Sequence, residues 1–447
     1  MRLLFFLLPA IFADSMALQQ SSIVPVWGKA DPGTTITLTT SWDKQRLTML
    51  VGVDSTFRFS VATPAYKDTP YGDITLSRRH HTTTIRHILF AEVWLAGGQS
   101  NMEMPMHGFW GQPVEGAYEA ILHSGEGYPI RFYKTPRQLA SAPQFVGKGQ
   151  WYTASPSTTD KASAIGYFYA RELSRILNTP VAIVESTWGG TRVQPWMPEQ
   201  AYLSTQSDDE LPLDIQKGGL TYKCGNELNA SPIPTAMYNA MIHPLAGFGI
   251  RGLIWYQGET NIYFHPETYS DCFTAMVEGW RQAWNQGSWP VYFVQIAPFY
   301  YGPGNTAAFL RSQQDKASRT IPDCGMVVTL DVGDSACIHP VQKLLVAQRL
   351  VGLALHGTYG YTDFLAESPR PAKAEVQDNR VFLTFTNAPQ LIAKRGEIRD
   401  FEVADEQGVW HPAQVRYTLR DLSVWSDEVA SPRGVRYCYH NYTIGTL

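Results

Sequence analysis

From residue 91 the chain repeats one pattern: a short apolar run, a loop rich in Gly, Ser and Asn, then a stretch with helical periodicity. The apolar runs are AEVWLAGGQSNM, TPVAIVESTWGGT, IRGLIWYQGETN, WPVYFVQIAPF and GMVVTLDVGD, and the helical stretches are SAIGYFYARELSRIL, YSDCFTAMVEGWRQAW and PVQKLLVAQRLVGLAL. Strands that are apolar throughout and alternate with helices predict a parallel sheet covered on both faces. In such a sheet the ligand lies beyond the carboxyl ends of the strands, where the polar loops of this chain fall.

The flanking segments are built differently. Residues 1–90 alternate apolar and polar positions in β-branched runs (SIVPVWG, TTITLTT, LTMLVGV, TFRFSVA, GDITLSR, TTTIRHILF) separated by turns such as KADPG and KDTPYG, which predicts a small antiparallel β-sandwich. The same grammar returns over residues 361–447, and a central domain is expected over 91–360. Residues 1–17 resemble a short secretory signal, which points to a secreted or periplasmic protein, and LPAIFADSMALQQ reads equally as the first strand and turn of the mature domain. No other apolar stretch is long enough to span a bilayer.

Composition narrows the partner. A net charge of −4 without runs of Lys or Arg excludes an electrostatic footprint for nucleic acid. Charged residues are 17% and aromatic residues 13%, a balance that suits aromatic platforms for sugar rings and suits an aromatic-rich β core as well. The five cysteines (Cys224, Cys272, Cys324, Cys337, Cys438) form no C-x-x-C, so no zinc or redox motif is readable, and no metal or cofactor is expected.

Four loops carry chemistry. In GGQSNM, Ser100 stands on a glycine turn after a strand, where its Oγ can enter a cleft while its N–H points to the same space. In STWGGTRVQPW, Gly190 offers a backbone N–H, and Trp188, Arg192 and Trp196 can wall a sugar site. WYQGETN supplies an amide donor, Gln257, and a carboxylate, Glu259, which serve a site or brace neighbouring loops. In GDSACIHPVQK, His339 lies between a strand and a helix, one of eleven histidines in the chain. Serine, Gly-Gly turn, amide and late histidine in that order supply nucleophile, oxyanion donors and general base for acyl-transfer hydrolysis.

Together GQSNM, WGGT, WYQGETN, RQAW, VQIAPF and GD followed by IHP and Lys343 closely resemble the sialate O-acetylesterases, a branch of the SGNH (GDSL-like) hydrolases. The likeness extends over nearly the whole chain, and the chain ends at YTIGTL, short of the tail this resemblance leads one to expect. It implies an SGNH three-layer α/β/α domain with a parallel sheet, flanked by N- and C-terminal antiparallel β-sandwich regions. It also implies Ser100 as nucleophile, His339 as base, and an oxyanion hole from Ser100 N–H, Gly190 N–H and the Gln257 side chain. Gln99, Asn101, Trp188, Arg192, Glu259 and Asn261 are the expected substrate-binding residues, with Arg192 suited to a sialate carboxylate. The implied reaction removes O-acetyl groups from sialic acid through an acetyl-serine; acetylated xylan or another polysaccharide is the alternative substrate, and a silent sugar-binding protein the alternative class.

One departure stands out. The positions where the family's pattern places an aspartate before the histidine are Ala336 and Cys337. Asp334 is the expected replacement, with a backbone carbonyl near Ser335 or Glu259 as alternatives.

Overall fold

A computed structural model describes residues 6–205, 233–394 and 396–447. Six parallel strands form its centre, in the order Cys324–Val327, Val291–Val294, Gly252–Tyr256, His81–Gly98, Val181–Thr187 and Ile130–Lys134, with Gln150–Thr153 antiparallel at the edge. Successive side chains along a strand point to opposite faces, and here both faces are apolar. Val93, Leu95, Leu253 and Trp255 join one core with Phe273 and Trp280 of the helix Tyr269–Trp284. Trp94, Ala96, Ile254 and Tyr256 join another with Phe168 of Ala164–Leu177 and Leu350 of Lys343–Gly357. The sequence therefore reads as strands without polar alternation because neither face meets water.

The strand His81–Gly98 is flanked by Val181–Thr187 on one side and Gly252–Tyr256 on the other. Later connections leave it in opposite directions, so the loops after these three strands open a crevice at one edge of the sheet. GGQSNM, WGGT and QGETN are those loops.

The boundary expected at residue 90 falls inside this strand. Its first half pairs antiparallel with Tyr71–Arg78, and Ala17–Gln19 pairs parallel with Leu89–Ala91. From Ile88 onward every residue of the strand is buried. The N-terminal strands Thr35–Thr40, Arg46–Leu50 and Tyr71–Arg78 thus continue into the central sheet, while Ser22–Lys29 and Thr56–Thr63 form a separate antiparallel pair. Ile11, Phe12, Met16 and Ala17 are buried in the core these elements share with the centre, so that part of the segment read as signal or first strand is packed as domain.

The C-terminal residues form a four-stranded and a three-stranded antiparallel sheet around Val381, Leu383, Phe401, Val403, Leu422 and Val424. Buried Arg311 fastens this region to the centre by donating to the carbonyls of Cys438 (3.1 Å) and His440 (2.6 Å). Among the described residues Cys272, Cys324, Cys337 and Cys438 are free thiols, and Cys224 lies outside those residues. No described helix is long and apolar enough to cross a membrane.

Candidate active site

Ser100 owes its position to Gly98. This glycine has φ 135°, and a Cβ on it would stand 2.1 Å from the Tyr256 carbonyl oxygen of the neighbouring strand, so only glycine fits. The chain then turns through extended Gln99 into the short helix Ser100–Glu103, leaving Ser100 partly exposed at the sheet's edge. His339 approaches from the loop after Cys324–Val327. Its Nε2 lies 2.8 Å from Ser100 Oγ, and its Nδ1 lies 2.5 Å from Gln112 Oε1. The amide oxygen only accepts, so Nδ1 carries the proton and Nε2 is left to accept from the serine hydroxyl.

Gln112 belongs to a tight hairpin. Phe109 and Gln112 exchange backbone hydrogen bonds of 3.0 and 2.9 Å, and Gly111 (φ 69°) supplies the left-handed residue of the turn. The Phe109 ring meets the imidazole edge-on with centroids 5.1 Å apart. Both residues at the base of the hairpin therefore hold His339.

Behind the serine runs a buried polar chain. Lys343 Nζ donates to Asn101 Oδ1 (2.5 Å), and Asn101 Nδ2 donates to Glu259 Oε1 (2.5 Å) and to the Ile338 carbonyl (3.1 Å). Asn101 thus ties the Ser100, Glu259 and His339 loops together. Burial lowers the His339 pKa to about 4, assisted by the positive charge of Lys343. Burial likewise lowers Lys343 to about 7, opposed by Glu259, and raises the Glu259 carboxyl. The imidazole is neutral, and free to take a proton, over most of the ordinary pH range.

The Gly-Gly turn is clamped beside the serine. Gly189 N–H donates to Glu103 Oε2 (2.8 Å), and Arg137 holds the same carboxylate with two bonds of 2.8 Å. A Cβ on Gly189 would stand 3.1 Å from Ser100 Cβ. The next residue, Gly190, has φ 74°, and its N–H and that of Ser100 have no protein acceptor among the described residues. Two unpaired N–H groups beside a serine hydroxyl form an arrangement able to receive a developing oxyanion.

The sequence profile of the family described as carbohydrate esterase, sialic acid-specific acetylesterase, matches residues 91–351. The chain belongs to this family. Sialate O-acetylesterase of Rattus norvegicus is 26% identical over 438 residues, covering 87% of this chain and 81% of the relative. That of Homo sapiens is 25% identical over 425 residues, covering 87% and 78%. The crystal structure of a carbohydrate acetylesterase from Xanthomonas citri superposes with a TM-score of 0.86 at 30% identity, covering 98% of this chain and 95% of that one.

In this esterase the structure rearranges several expected roles. Asp334 does not meet His339: its Oδ1 accepts from the N–H groups of Ala336 (2.7 Å) and Cys337 (3.0 Å), because a short acidic side chain on a turn bonds its own loop first. The Gln257 amide, expected in the oxyanion hole, donates instead to the Thr191 carbonyl (3.0 Å) and to Asn261 Oδ1 (2.8 Å). Gln99, Asn101, Glu259 and Asn261 are buried braces rather than a substrate wall. Gln99 Oε1 accepts from Gly258 N–H (3.3 Å), and Asn261 Oδ1 accepts from Val193 N–H (3.0 Å). Trp188 is buried under Arg137, whereas Arg192 is half-buried with its guanidinium over Phe264. Gln112, Glu103 and Arg137 escaped sequence reasoning. FWGQ carries a turn signal in Gly111, and nothing local joins that turn to a histidine more than two hundred residues away.

Proposed function

We propose that this carbohydrate O-acetylesterase removes O-acetyl groups from sialic acids through an acetyl-serine intermediate. The observation that carries the reading is the 2.8 Å contact between Ser100 Oγ and His339 Nε2. Ser100 Oγ attacks the acetyl carbonyl as His339 Nε2 takes its proton, and the oxyanion is received by the N–H groups of Ser100 and Gly190. Collapse breaks the bond to the sugar oxygen, which leaves with the proton from His339. Water then gives a proton to His339 and attacks the acetyl-serine; acetate departs and Ser100 recovers its hydrogen. Gln112 holds the imidazole tautomer throughout, a neutral group in the place of a carboxylate.

The covered parallel sheet with its site at the carboxyl ends supports an SGNH-type three-layer α/β/α arrangement for the central region. The sialate substrate is favoured by the family match and by Arg192, whose guanidinium beside the Gly-Gly turn suits a sugar carboxylate. Acetate release from O-acetylated N-acetylneuraminic acid and from acetylated xylan, measured side by side, decides the substrate. Ser100→Ala is expected to abolish release from either; turnover surviving in that variant would overturn the mechanism.

A further inference from the structure

Trp110 is 99% exposed, although most tryptophans of this chain are deeply buried. It occupies the tip of the hairpin whose base residues, Phe109 and Gln112, both touch His339. The ring takes no part in the core, yet its backbone is held by paired hydrogen bonds and by glycines at Gly108 (φ 81°) and Gly111 (φ 69°). A Cβ on Gly108 would stand 2.3 Å from the Gln112 carbonyl oxygen, so the turn is closely built. The turn thus presents a large aromatic face to solvent next to the pair that holds His339, a face on which the C–H side of a sugar ring can pack.

Two further aromatic residues share the same edge of the sheet. Tyr263, 63% exposed, follows the loop of Gln257 and Glu259; Tyr300, 61% exposed, donates its N–H to the Ser335 carbonyl (3.4 Å) in the His339 loop. Three loops at this end of the sheet thus present aromatic rings to solvent: the hairpin, the loop after Gly252–Tyr256 and the loop after Val291–Val294. The base of the hairpin already stands at His339, and each residue toward its tip adds up to ~3.8 Å. Trp110 therefore stands one residue beyond the pair that holds His339, at the solvent side of the serine–histidine contact.

We infer that Trp110 is a platform for a second sugar ring, stacking the apolar C–H face of the residue next to the acetylated one, so that the substrate is a glycan-linked O-acetylated sugar rather than the free monosaccharide. The inference rests on the esterase reading above and names its substrate class. Stacking of this kind binds ground state and transition state alike, so it acts on KM.

Three substrates separate the contributions: 4-nitrophenyl acetate, free O-acetylated N-acetylneuraminic acid, and the same sugar linked to lactose. Trp110→Ala is expected to raise KM for the lactose-linked sugar at least tenfold more than for the other two, and Trp110→Phe to stay within about threefold of the native enzyme because an aromatic face remains. Equal factors on all three substrates would overturn the assignment, since the hairpin would then act only through His339. A larger loss on both sugars alike would also overturn it, placing Trp110 against the acetylated ring itself. Ser100→Ala run in parallel keeps the two ideas apart: its failure to stop turnover counts against the esterase mechanism, whatever Trp110 does.

Discussion

Gln112 Oε1 and His339 Nδ1 are 2.5 Å apart, so an uncharged amide holds the imidazole whose other nitrogen faces Ser100. An amide selects the tautomer as a carboxylate does, and leaves the imidazolium without a full countercharge. The His339 pKa accordingly stays low, at about 4, under burial and the Lys343 charge.

Gln112→Glu therefore places a carboxylate against His339 Nδ1. A neighbouring negative charge raises an imidazole pKa by about 1–3 units. His339 must be neutral to accept the serine proton, so activity is lost as pH falls through its pKa, and the acid limb of kcat/KM should move to higher pH in this variant. Gln112→Ala should lower kcat roughly 10–100-fold, the equivalent of losing about 1.5–3 kcal/mol of hydrogen bond to a charged group. Rate profiles between pH 3 and 9 read both effects.

Asp334→Ala is the contrasting variant. This side chain caps the N–H groups of Ala336 and Cys337 on an exposed turn and does not reach the imidazole. Its removal should leave the acid limb in place and cost about 1 kcal/mol or less of stability, read by thermal melting. An acid limb that moves with Asp334 rather than with Gln112 would return the triad role to the aspartate.

Lys343→Met removes the cation behind His339 and the donor to Asn101 Oδ1. Without that charge the His339 pKa rises toward its ordinary value, so the acid limb again moves to higher pH. Asn101 Oδ1 loses its partner and Glu259 its nearby positive charge, a destabilisation of about 1–3 kcal/mol. Adding Glu259→Gln should recover part of the lost melting temperature, because the buried carboxylate is then neutral; strictly additive losses would contradict the coupling.

Gly98→Ala tests the placement of Ser100. Its Cβ would overlap the Tyr256 carbonyl oxygen in a backbone conformation with φ 135°. The strand pair at the centre of the sheet cannot close around that contact, and a loss above about 4 kcal/mol is expected, seen as loss of soluble, cooperatively melting protein.

The strand-end loops were legible along the chain. Apolar runs without alternation marked buried strands, and the glycines of GGQSNM and STWGGT marked turns able to bring backbone N–H groups and a serine to one edge. These are local properties, decided by side-chain pattern and backbone freedom within a few residues. Elements without a clear pattern were not legible: the strand Ile130–Lys134, and the helix Thr306–Thr320, whose buried face carries Arg311 and Gln314 among its apolar residues.

The choice of hydrogen-bond partner was decided elsewhere. Asp334 is near His339 in the chain, yet bonds its own turn; Gln112 is remote in the chain, yet reaches the imidazole because its hairpin follows the strand at the centre of the sheet. Gln257, expected to donate to an oxyanion, and Asn261 and Gln99, expected to meet substrate, stand in strand-end loops where packing turns them toward one another. Sequence by itself determined which residues could stand at the sheet's edge, because strand periodicity and glycine turns are local. Only the tertiary structure decided which of them meet, because a buried polar atom takes whichever partner the fold brings within about 3 Å.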